Sequence, residues 1–95
     1  MHSKMKVSEL LKEYETLAQK LGIEVRYESL KGTKFYPGGY CLIKKDPKII
    51  IEKTLSLQEK TGRFAEIFAT LDLEGVYMLP ALRDTIERYR KTSIP

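Results

Sequence analysis

The sequence has a single histidine, a single cysteine and no asparagine, and its uninterrupted apolar runs, such as Ile49 to Ile51, are only a few residues long. Each shortage excludes something. With His2 alone, near the start of the chain, there is no basis for a histidine-based catalyst or a histidine-rich metal site. Cys41 cannot close an internal disulfide, which agrees with a reducing compartment, and a cytoplasmic location is expected. No apolar segment approaches the ~20 residues needed to cross a bilayer. The opening Met-His-Ser-Lys-Met-Lys is basic but has no apolar stretch behind it, so no secretory signal is expected.

Nucleophilic chemistry is equally short of parts. Cys41 has no histidine, second cysteine or helix start near it in sequence, and reads as a small apolar residue. Serine hydrolysis lacks a base. Glu24 and Glu28 flank Arg26, and Asp72 and Glu74 share a short linker; all four read as solvated charge rather than an acid–base pair. No catalytic residue, cofactor or metal is therefore expected.

What is present fits one small domain. Ninety-five residues, 42% hydrophobic and 32% charged, suffice for a single core and leave no room for a second. The net charge of +4 is spread among interspersed lysines, arginines and glutamates, so attraction to nucleic acid is weak rather than blocked into a patch. The lack of asparagine, with many Lys and Glu, is a bias shared with proteins from hot environments.

Periodicity predicts the elements. Val7, Leu10, Leu11, Tyr14, Leu17, Ala18 and Leu21 recur at helical spacing, predicting a helix over Ser8 to Leu21 with Gly22 as its left-handed stop. Ile23, Val25 and Tyr27 alternate with Glu24, Arg26 and Glu28, a strand with one wet face. Ser29 to Gly39 breaks all periodicity and is a loop. Tyr40–Lys44 and Lys48–Lys53 are rich enough in β-formers to be strands, with a turn at Asp46-Pro47 that pairs Lys44 with Ile49 and Ile43 with Ile50.

That pairing puts Tyr40, Leu42, Ile49 and Ile51 on the core face and Cys41, Ile43 and Ile50 on the other. Ser56-Leu57-Gln58-Glu59 matches a capping box opening a second helix, in which Gly62 suggests a close approach to a strand. Pro80 opens a third, with Arg83–Glu87 and Asp84–Arg88 spaced as ion pairs. Residues 1–6 and 92–95 are expected to fray. The fold class is α+β: a small three-stranded antiparallel sheet with helices on one face, in the order α-β-β-β-α-α.

Two places are candidates for function. The loop Lys31, Lys34, Phe35, Tyr36, Gly38, Gly39 and Tyr40 combines glycines that can aim N–H groups at an anion with aromatics and lysines that can stack on bases, although the favoured reading is structural, with the glycines giving a tight backbone path and the aromatics capping the end of the core. Cys41, Ile43 and Ile50 form a small apolar patch suited to self-association.

The Gly-Gly-Tyr-Cys strand, the Pro47 turn, the isoleucine-rich return strand and Leu73-Glu74-Gly75-Val76-Tyr77-Met78-Leu79-Pro80 with Arg83 resemble a family of small uncharacterised bacterial proteins, a resemblance that brings no activity with it. The order of elements is also similar to the minimal scaffold of HExxH zinc metallopeptidases. Laid on Ala65-Glu66-Ile67-Phe68-Ala69, that motif keeps its glutamate at Glu66 and has alanine at both histidine positions, so the resemblance implies at most a scaffold without its metal. The chain is expected to be a non-enzymatic interaction or adaptor module with a protein partner or a second copy. The alternatives are a weak nucleic-acid binder using Lys31, Lys34, Tyr36, Tyr40, Lys45 and Lys48, and a degenerate metallopeptidase-like domain.

Overall fold

The computed structural model describes residues 5–92. Its elements run α1 (Val7–Lys20), β1 (Glu24–Glu28), β2 (Gly38–Ile43), β3 (Asp46–Glu52), α2 (Leu57–Ala69) and α3 (Pro80–Thr92). The α+β class and the element order follow the hydrophobic periodicity. His2 lies outside the described residues. Of the expected frayed ends, Lys6 is the N-cap of α1, its N–H donating to Glu9 Oε1 at 2.9 Å, and Thr92 closes α3.

The sheet is mixed rather than antiparallel. Its order is β1-β3-β2, with β1 parallel to β3 (Val25 opposite Ile49, Tyr27 opposite Ile51) and β2 antiparallel to it (Tyr40 opposite Ile49, Cys41 opposite Lys48). The isoleucine-rich strand is central because it alone is covered by neighbours on both edges. The 29–37 loop crosses the end of β3 to carry the chain from one edge to the other.

The hairpin also turns earlier than Asp46-Pro47. Ile43 stands opposite Asp46, leaving Lys44 and Lys45 as a two-residue loop with φ of 53° and 73°, the positive values a type I′ turn requires. Asp46 and Pro47 belong to β3. Pro47 is tolerated there because β1 begins pairing only at Lys48, so the missing N–H has no partner to disappoint on that side. The register is displaced by four residues from the expected one. An even shift preserves strand parity, so Tyr40, Leu42, Ile49 and Ile51 still share the helix-side face.

That face meets α1 and α2, and α3 packs on the two helices. Tyr14 on α1 stacks against Phe64 and Phe68 of α2 at ring distances of 5.5 and 5.8 Å, joining Ile49, Ile51, Leu82 and Ile86 in one buried cluster. The capping box forms as expected: Glu59 N–H donates to Ser56 Oγ at 3.1 Å and Ser56 N–H to Glu59 Oε1 at 2.9 Å. At its other end α2 is closed by Arg90 of α3, whose guanidinium donates to the carbonyls of Ala69 and Leu71 at 3.1 and 3.0 Å. The two ion pairs expected on α3 are replaced: Arg83 donates to the Val76 carbonyl, Arg88 reaches the Asp84 carbonyl rather than its carboxylate, and Glu87 pairs with Arg90 at 2.7 Å. Gly62 serves no close helix–strand approach, since a Cβ there would meet only Tyr89 Oη, at 3.5 Å.

Candidate functional site

The crossing loop, the start of β2 and the exposed side of α2 enclose a trough in two parts. One, about 360 Å³, is lined by Tyr36, Pro37, Leu55, Glu59, Gly62, Arg63, Glu66 and Tyr89. The other, about 320 Å³, continues along the β2 edge past Gly39, Tyr40, Ile67 and Thr70. Arg63 and Glu66 divide them. These two side chains pair at 2.6 Å, and the second guanidinium nitrogen of Arg63 donates to the Gly38 carbonyl at 2.9 Å; Arg63 Nε is buried without a hydrogen-bond partner.

Gly38 has to be a glycine. A Cβ there would lie 2.8 Å from the Ile50 carbonyl oxygen and 3.1 Å from Ile51 Cα. A Cβ on Gly39 would meet nothing within 4 Å, and the residue borders the trough. Of the two glycines expected to present N–H groups, the first is a close backbone crossing, and its carbonyl is taken by Arg63.

The loop itself is stapled by Glu52, which is fully buried. Its carboxylate accepts the Leu30 N–H at 2.6 Å, the Thr54 hydroxyl at 2.7 Å and the Thr54 N–H at 3.3 Å. These bonds, the one from Leu30 foremost, hold its pKa below the usual carboxylate value.

The sequence candidates separate in space. Tyr36, Gly39 and Tyr40 line the trough, whereas Lys31, Lys34 and Phe35 are exposed on the loop and do not. The basic and aromatic residues of the nucleic-acid alternative are likewise divided: Tyr40 is on the helix side, Lys45 is at the hairpin tip, and Lys48 is on the opposite face, bonded to Glu24 at 2.6 Å. That opposite face carries Cys41, Ile43 and Ile50, but the register shift spreads them along it rather than pairing Ile43 with Ile50: Ile50 stands opposite Gly39, Cys41 opposite Lys48 and Ile43 opposite Asp46 beside the hairpin turn. It also carries Glu24, Arg26 and Glu28 of β1, where Arg26 pairs with Glu24 at 3.1 Å and Glu24, bonded first by Lys48 and then by Arg26, has a lowered pKa.

Sequence reasoning missed Arg63, which is 25 residues from the carbonyl it caps and has no local signal. Glu66, singled out only through the HExxH register, lies on the trough, while Ala65 points into the core. Among the described residues there is no cluster of three metal-ligating side chains, and no helix is long and apolar enough to cross a membrane.

The main chain along β2 completes the site. Glu52 N–H donates to the Pro37 carbonyl at 3.0 Å, so residues 37, 39, 41 and 43 turn their polar groups toward β3 by the antiparallel alternation. Gly38, Tyr40 and Leu42 turn theirs outward. Arg63 caps Gly38, which leaves the groups of Tyr40 and Leu42 along an open edge. No family model, curated protein or solved structure matches the chain.

Proposed function

We propose that this chain is a non-enzymatic interaction module that accepts an extended segment of polypeptide by strand addition at the β2 edge, with the neighbouring trough receiving its side chains. The observation carrying this reading is the contrast between the two sheet edges. β1 presents Glu24, Arg26 and Glu28, the charges by which sheet proteins discourage edge pairing. β2, Gly-Gly-Tyr-Cys-Leu-Ile, has none, and Tyr40, Leu42 and Ile43 are 41%, 62% and 40% exposed. Main-chain bonds to Tyr40 and Leu42 would supply affinity, and alternate side chains falling between β2 and α2 would supply selectivity.

A panel of eight-residue peptides with alternating apolar residues, titrated while amide resonances are followed, tests this. Shifts centred on Tyr40 and Leu42, with slowed exchange of both amides, are expected. Shifts confined to Glu24–Glu28 or to the lysines of the loop would overturn it.

A further inference from the structure

We infer that the segment added at the β2 edge is β2 of a second copy of this chain, joining two three-stranded sheets into one of six strands across a two-fold axis; this rests on the strand-addition reading above. The register follows from which groups are available. Antiparallel bonded pairs can use only outward-facing residues, and these are Tyr40 and Leu42, since Arg63 occupies the Gly38 carbonyl and Lys44 is in the left-handed turn. Centring the axis on Tyr40 would require Gly38 opposite Leu42. Centring it on Leu42 would require Lys44 opposite Tyr40. Only an axis through Cys41 uses both free residues of each strand, Tyr40 opposite Leu42 and Leu42 opposite Tyr40.

Three further features agree with this arrangement. Tyr40 and Leu42 both point to the helix side, so each aromatic ring meets an aliphatic side chain across the new pair. A self-complementary patch of this kind is what a two-fold interface needs. The charges also complement each other: each Lys44-Lys45 tip lies beside Gly38 of the second copy, next to a trough in which Glu59 and Glu66 outnumber Arg63.

The axis brings the two Cys41 residues together at a non-bonded pair, where Cα atoms are about 4.5 Å apart. That separation lies within disulfide reach. Cys41 is half-buried with a free thiol and so becomes a reporter. Diamide, which removes two electrons and two protons from a pair of thiols, should link the copies.

Sedimentation equilibrium up to on the order of 100 μM, high enough for a small interface, should show the mass rising toward twice 11.0 kDa. Leu42→Lys, at an exposed position that leaves the fold intact by circular dichroism, should hold it at the single mass and abolish diamide cross-linking. Ile50→Lys, on the opposite face, should associate like the unaltered chain.

A mass that stays single throughout would overturn the proposal, as would a dimer lost in Ile50→Lys but kept in Leu42→Lys. If the chain is monomeric yet peptides still slow the Tyr40 and Leu42 amides, the second copy is removed as partner and strand addition stands. If neither occurs, both fall.

Discussion

At the scale of single residues, Gly38 and Glu52 decide how the crossing loop meets the sheet. Gly38→Ala forces a Cβ to 2.8 Å from a carbonyl oxygen that belongs to the central strand and cannot retreat. A loss on the order of 2–3 kcal/mol is expected, read as a lower denaturation midpoint at unchanged m-value. Gly39→Ala, with open space around it, should stay within about 0.5 kcal/mol. Equal effects would show that the crossing is looser than its geometry.

Glu52 makes the loop pH-sensitive. Its folded pKa is lowered from the ordinary 4.5, so its contribution is complete above that value and is lost as the pH falls through the lower folded one. Melting temperature measured from about pH 6 down to about pH 3 should therefore fall more steeply in the natural chain than in Glu52→Gln. The variant should already be the less stable of the two at neutral pH. Parallel curves would mean that the carboxylate does not staple the loop.

At the scale of elements, the hairpin holds two lysines where the backbone calls for Asn-Gly. A lysine at positive φ crowds its Cβ against the carbonyl, at a cost of about 1 kcal/mol or more. The double change Lys44→Asn, Lys45→Gly should raise stability by ~1–2 kcal/mol in chemical denaturation, with the β2–β3 register unchanged. A neutral or destabilising result would place some other tertiary role on the two lysines.

The turn also shows where sequence stops being informative. Asp46-Pro47 has the stronger local signature, yet β3 extends back through it because pairing with β2 continues to Ile43–Asp46. No propensity of Lys44 or Lys45 signals the turn that results. By contrast, the capping box at Ser56 and the left-handed Gly22 after α1 were legible, because each is settled by bonds or angles within a few residues.

At the scale of the whole molecule, the layers predict an order of opening. β3 lies between two strands and packs under α2, while α3 packs on the helices. Native-state hydrogen exchange should find the amides of Ile49–Ile51 the slowest and those of α3 opening at lower free energy. Equal protection would mean that α3 and the sheet unfold as one unit. The exposed β2 edge belongs to this scale too, since whether an uncharged edge is covered depends on what packs beside the whole sheet rather than on the strand itself.

The alternation of Ile23 to Glu28, the β-forming runs around Tyr40 and Ile50 and the helical spacing of the three amphipathic stretches determined the α+β class, the element order and the two faces of each strand. Those properties depend on neighbours along the chain, and strand parity kept the faces correct even when the register moved by four. The parallel alignment of β1 with β3, the true turn, the Gly38 crossing and the meeting of Arg63 with it were decided by the tertiary structure alone. Each depends on which distant strand supplies the missing hydrogen bonds, and no local pattern of residues carries that choice.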